Sequence, residues 1–183
     1  MQRLKIGVMG ASAGELPKGE RARLEGLAEQ LGAAVANRGC VLVTGATTGL
    51  PDMVARAARK HGGLTVGISP AETMEEHRRF GLPLDGAEVI LYTGFGFKGR
   101  NVVNIRSSDI VIIFGGATGT LNEFTIAYDE GKVIGILEGS GGIADHIKEI
   151  LAFCRKATRA RLVYGSEPVQ LLDACLEALK GVR

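Results

Sequence analysis

The stretch from Lys98 to Glu130, KGRNVVNIRSSDIVIIFGGATGTLNEFTIAYDE, carries the densest set of chemically able residues in this chain of 183 residues. Within it the apolar run Ile110–Phe114 empties into Gly115-Gly116-Ala117-Thr118-Gly119-Thr120, and Glu123 follows three positions later. Glycines at a strand-to-helix junction let backbone amides approach an anion, and the first amides of a helix carry an effective positive charge. Gly115, Gly116, Thr118, Gly119 and Thr120 therefore read as a phosphate cradle, with the two threonines equally suited to capping or to donating a hydroxyl. Glu123 adds a carboxylate to the same rim. Arg100, expected at the start of the preceding helix, adds a guanidinium that can fork onto a phosphate or a base edge. Three more glycine-rich turns lie at Gly10 to Gly14, Gly45-Ala46-Thr47-Thr48-Gly49 and Gly94 to Gly99, and Gly45 and Gly49 join the expected ligand contacts. Glycine supplies 27 of the 183 residues, about twice the ordinary share of about 7%, and these turns absorb much of the excess.

Other chemistries find less support. Gly94-Phe95-Gly96-Phe97-Lys98-Gly99 matches G-x-G-x-x-G, yet it follows the fourth predicted strand, and the next strand ends in Ile113 and Phe114 where a dinucleotide site needs an acid. No P-loop occurs, since Lys98 precedes Gly99-Arg100, and no G-x-S-x-G elbow or activated nucleophile is visible. Cys40, Cys154 and Cys175 have no C-x-x-C spacing, and His61, His77 and His146 form no paired motif, so neither a disulfide framework nor a metal site is expected. With 22 basic against 20 acidic residues the net charge of +2 offers no broad cationic surface, and no nucleic-acid partner is expected. No apolar stretch reaches the roughly 18 residues of a membrane span, and the start MQRLKIGVMGASAG has no targeting pattern. The expectation is a soluble, cytoplasmic protein without a membrane partner.

The elements that must position these residues are short apolar strands alternating with helices. Strands are predicted at Lys5–Met9, Val41–Thr44, Leu64–Ile68, Glu88–Tyr92, Ile110–Phe114, Val133–Leu137 and Arg161–Tyr164, each apolar enough to be covered on both faces. Leu24, Leu27, Leu31 and Val35 mark a helix closing at Gly39; others follow Pro51 and cover about 100–108, 120–130, 143–153 and 168–179. This alternation specifies one α/β domain over residues 1–183, a doubly wound parallel sheet whose ligand sits beyond the carboxyl ends of the strands.

Gly115-Gly116-Ala117-Thr118-Gly119-Thr120-Leu121-Asn122-Glu123, with Arg100 placed 23 positions before Glu123, resembles the signature of the LONELY GUY superfamily, long labelled lysine decarboxylases. The likeness runs from Ile6 to about Leu137. It implies a Rossmann-like fold, an Arg–Glu functional pair at Arg100 and Glu123, and a homodimer that shares residues between two sites. In the best-studied branch it implies a cytokinin riboside monophosphate phosphoribohydrolase. Where those hydrolases carry Pro, this chain has Gly115; Ala117 replaces a glycine, and Asn101 rather than Lys follows Arg100. These features are more similar to a sister branch that includes molybdenum-cofactor carrier proteins.

Local structure competes for several of these residues. Thr120 and Glu123 also fit the capping box T-x-x-E, Asp109 fits a turn, and Arg155, Lys156, Arg159 and Arg161 fit a solvated face. The charged stretch Glu75–Arg79 either covers the site or is merely exposed. Two functions follow. In one the rim only binds, as a carrier or sensor of a phosphate-bearing ligand, either a nucleoside monophosphate or the molybdenum cofactor, with no further cofactor required. In the other Glu123 stabilises the oxocarbenium-like state of N-glycosidic hydrolysis, the cradle holds the 5′-phosphate and Arg100 steadies phosphate or base. The binding reading is the leading expectation. The implied dimer is expected to use the helix faces around Leu24 to Val35 and Val54 to Ala58.

Overall fold

The computed structural model describes residues 2–16 and 19–181. Seven strands, β1 (Lys5–Gly10), β2 (Val41–Thr44), β3 (Thr65–Ser69), β4 (Val89–Tyr92), β5 (Ile110–Phe114), β6 (Val133–Leu137) and β7 (Arg161–Gly165), form one parallel sheet in the order β4-β3-β2-β1-β5-β6-β7. Seven α-helices connect or follow them: α1 (Arg21–Asn37), α2 (Leu50–Lys60), α3 (Met74–Arg79), α4 (Gly96–Arg106), α5 (Thr118–Asp129), α6 (Ile147–Cys154) and α7 (Pro168–Lys180). The chain winds outward from β1 to β4, returns through α4 to β5, and winds outward again. Loops leaving β1 and β5 therefore diverge, which opens a crevice at this switch point.

The five inner strands are buried because both faces are covered, whereas the edge strands β4 and β7, also expected to be covered, stay partly exposed because each has a neighbour on one side only. Successive side chains on a strand alternate faces. Ile110, Ile112 and Phe114 pack with α1, α2 and α7, whereas Val111 and Ile113 pack with Ile105 of α4, Phe124 of α5 and Ile147 of α6. This is the Rossmann-like doubly wound sheet that the strand and helix patterns predict. Gly39, at φ 65°, follows α1 and its amide donates to Ala36, as a closing glycine should.

Several boundaries differ from expectation. The start of α4 is Gly96, so Arg100 stands one turn inside the helix. Residues predicted as one helix over 143–153 divide into a 3-10 turn, Gly142–His146, and α6. Glu75–Arg79 lies wholly in the unpredicted α3, whose Thr73 caps it by accepting from the Glu76 amide. Glu75, Arg78 and Arg79 are exposed and Glu76 is half-buried, but His77 is fully buried.

The faces expected to pair two copies are already occupied. Leu24, Leu31 and Val35 of α1 pack with Val54 and Ala58 of α2 inside one core. Exposed apolar side chains lie elsewhere: Met74, Phe80, Val89, Leu91, Phe95 and Phe97 around α3, the edge strand β4 and the start of α4, and Phe153 and Val169 on α6 and α7. Arg155, Lys156, Arg159 and Arg161 are exposed as expected, and Lys156 pairs with Asp129 at the carboxyl end of α5, away from the glycine rim. No described helix is long and apolar enough to cross a membrane.

Candidate functional site

A cavity of about 300 Å³ opens at the carboxyl ends of the central strands. Gly10 at the end of β1 and Ser12 beyond it, Gly45, Thr47 and Thr48 after β2, the first two turns of α4 and the amino end of α5 form most of its wall. Of the residues expected to act, Gly45, Arg100, Gly119, Thr120 and Glu123 line it together. Gly49, Gly115, Gly116 and Thr118 do not. Gly49 precedes α2, where the Leu50 amide donates to Ala11 and joins two rim loops. The Gly115 amide donates to buried Ser140, and the Gly116 carbonyl accepts from Ile143. These glycines shape the loops next to the cavity without lining it.

Gly116 at φ 95° and the extended Ala117 start α5 at Thr118, two residues earlier than predicted. Thr120 is thus inside the helix and buried, so the capping box does not form, and no side chain caps α5. Its first-turn amides face the cavity end without a competing cap, which is the arrangement that suits an anion. Lys98 lines the same end, with Nζ 3.7 Å from where a Gly119 β-carbon would stand.

Glu123 and Arg100 form an ion pair of 3.2 Å between Oε1 and Nη1, 23 positions apart as the resemblance implies. Their residues are only 7% and 5% exposed. The guanidinium needs Gly45 beneath it, because a β-carbon there would run into its terminal nitrogens. Asn104, one helical turn after Arg100, donates Nδ2 to the same Glu123 oxygen at 3.4 Å. Burial pushes the Glu123 carboxyl above the usual carboxylate range, while the charges of Arg100 and Lys98 and the Asn104 amide pull it back. Burial likewise weakens Arg100's hold on its proton, with Glu123 opposing. The buried Nε of Arg100 and Oδ1 of Asn104 have no hydrogen-bond partner. Arg100 thus turns towards Glu123, not outward as a free fork, and Lys98 is the exposed cation of the rim.

Sequence reasoning passed over Lys98, Phe97 and Asn104. For Asn104 the signal was its i, i+4 spacing from Arg100, which puts both on one helix face. For Lys98 none existed, since its neighbour Gly119 is close only in the fold. Asp109 lies at the opposite end of the sheet, accepting from the Lys5 amide at 2.8 Å. Among the described residues no three His, Cys, Asp or Glu side chains converge as metal ligands do.

Comparison with known proteins agrees with this architecture. The model of the SLOG cluster4 family matches residues 3–172. An uncharacterized protein of Archaeoglobus fulgidus is 36% identical over 138 residues, covering 75% of this chain and 82% of its own. A cytokinin riboside 5′-monophosphate phosphoribohydrolase of Mycobacterium marinum is 36% identical over 161 residues, covering 81% and 83%. The molybdenum cofactor binding protein of Rippkaea orientalis superposes with a TM-score of 0.75 at 28% identity, covering 100% and 98%. The chain belongs to the SLOG cluster4 family, within the LONELY GUY-like superfamily that also holds the molybdenum-cofactor carriers.

Proposed function

We propose that this protein binds a phosphate-bearing small molecule, a nucleoside monophosphate or a cofactor of similar build, as a carrier or sensor. The observation that carries this reading is the uncapped amino end of α5 opening beside Lys98 into the cavity. The helix amides and the ammonium supply positive charge to one spot, and Thr120 lines the wall beside them. For the molybdenum cofactor as cargo, the fit is to its phosphate and ring, since no described side-chain cluster would ligate the metal.

A second reading, N-glycosidic hydrolysis of a nucleoside monophosphate, is favoured by Glu123 lining the same cavity with Arg100 and by the mycobacterial relative's name. There the carboxylate faces developing positive charge at the sugar, and Arg100 and Asn104 hold it in place. Incubation with a panel of nucleoside monophosphates, scoring free base and ribose 5-phosphate, tests both. Base release selects the hydrolase, tight binding without release selects the carrier, and the absence of both binding and release overturns both readings.

The dimer is assigned to the exposed apolar side chains of α3 and β4, Met74, Val89 and Leu91. Light scattering should report two copies at micromolar concentration, and a monomer would contradict the assignment.

A further inference from the structure

The cavity wall holds groups of two kinds. Lys98, Gly119 and Thr120 are polar or leave backbone open, whereas Leu82 and Phe97 are apolar. Phe97 and Lys98 are neighbours on the first turn of α4, where successive side chains point about 100° apart. Lys98 approaches Gly119 on α5, whereas the Phe97 ring packs on Phe80 at the end of α3, with centroids 5.8 Å apart and planes inclined by 38°.

The apolar part of the wall is held firmly. The Gly94 and Gly96 amides donate to Ala71 and Pro70, fixing the start of α4 against the loop after β3. On the other side, buried His77 spans Ser69 Oγ at 2.8 Å and the Pro83 carbonyl at 2.9 Å, and its own carbonyl accepts from the Leu82 amide. Yet Phe97 remains 49% exposed and Phe80 45%. A half-open aromatic ring at the mouth of a cavity, supported from behind, is a platform for another flat ring.

We infer that Phe97 sets the preference among the phosphate esters this cavity takes by stacking on a planar ring, its side chain directed to Phe80 while that of Lys98 approaches Gly119. This rests on the phosphate reading above and deepens it: Phe97 becomes the specificity-determining residue, and Lys98 with the α5 amides the anion-holding group. A sugar phosphate without a base should lack this contact.

Calorimetric titration of the full chain with AMP, GMP and ribose 5-phosphate tests the inference. Stacking should make at least one of the two nucleotides bind about tenfold more tightly than ribose 5-phosphate. Phe97→Ala should bring the two classes to within about threefold while leaving ribose 5-phosphate unchanged, and Phe97→Trp should restore the preference. Should Phe97→Ala fold poorly, Phe97→Leu keeps apolar bulk without an aromatic face and should lose most of the preference. A preference that survives these variants, or that falls only because ribose 5-phosphate weakens equally, overturns the stacking role and leaves the phosphate reading standing. Failure of all three ligands to bind the wild type overturns the phosphate reading and this inference with it.

Discussion

Two kinds of arginine–carboxylate pair occur in this molecule. On the surface, Arg38 forks onto both oxygens of Asp173 at 2.6 and 2.7 Å, and Arg56 does the same to Asp85 at 2.5 and 2.6 Å. At the cavity, Arg100 makes one bond of 3.2 Å to Glu123 while its Nε stays unpartnered and buried. If stability governed pairing, the better geometry would be inside, where an unsatisfied charge costs most. The inverse arrangement shows that the surface pairs staple elements in water, for little free energy, while the buried pair is kept with unsatisfied groups beside an open cavity. Imperfect satisfaction at that depth is characteristic of a site that completes itself with something else.

The largest effect that would sharpen this contrast is expected from Glu123→Ala. Removing the side chain strips Arg100 Nη1 and Asn104 Nδ2 of their shared acceptor and leaves a void in a buried wall, which should cost about 2–5 kcal/mol in urea unfolding. Replacing both, Arg100→Met with Glu123→Leu, should recover that loss or exceed wild-type stability by about 1–4 kcal/mol while abolishing turnover or ligand-linked stabilisation. A double variant as unstable as the single one would mean the pair stabilises the fold outright. Glu123→Gln, which keeps an acceptor, should retain binding and remove any turnover; turnover equal to wild type would take Glu123 out of the chemistry. Next in size is Gly45→Ala, whose methyl meets the guanidinium and should cost about 1–3 kcal/mol. A neutral outcome would show that Arg100 has room to move.

The two kinds of pair should also respond oppositely to pH. Burial raises the Glu123 carboxyl above its ordinary 4.5, so the folded state holds that proton more tightly than the unfolded chain. Its contribution therefore falls as pH rises through the window above 4.5, and Glu123→Gln should remove this slope. Arg38 holds exposed Asp173 below its ordinary 3.8, so its contribution is present above that value and lost as pH falls. Stability profiles of Glu123→Gln and Asp173→Ala against wild type across pH 2 to 8 check both signs. The smallest effect is expected from Asp173→Ala, under about 1 kcal/mol for an exposed pair. A loss as large as that of Glu123→Ala would erase the distinction.

The sheet was legible because strands covered on both faces read as unbroken apolar runs, as Ile110–Phe114 does, and because glycine turns punctuate them. What escaped was set by tertiary contact. Gly96-Phe97-Lys98-Gly99 reads as a loop, yet it forms the first turn of α4, anchored by carbonyls of the β3 loop. The α3 helix is six residues of mostly charged sequence, and His77 is buried only because Ser69 and Pro83 satisfy both ring nitrogens. At the site, Arg100 and Glu123, which spacing and resemblance single out, do meet as an ion pair. They did not reveal that the pair would face inward, or that Gly115 and Gly116 would serve the loop's path while Gly119 met the cavity.

The phosphate cradle is the central claim, and affinity for a nucleoside monophosphate against its nucleoside measures it most directly. Gly119→Val is a fitting control, because a β-carbon there meets nothing nearer than Lys98 Nζ and would project into the cradle without disturbing the core. Losing a charge-assisted hydrogen bond costs about 1.5–3 kcal/mol, so the monophosphate should bind at least about tenfold better than the nucleoside in calorimetry. Gly119→Val should abolish that preference, and Arg155→Ala, on the exposed basic face, should preserve it. Equal affinity for the two ligands in the wild type, or a crystal showing the nucleotide phosphate bound away from the start of α5, would contradict the account.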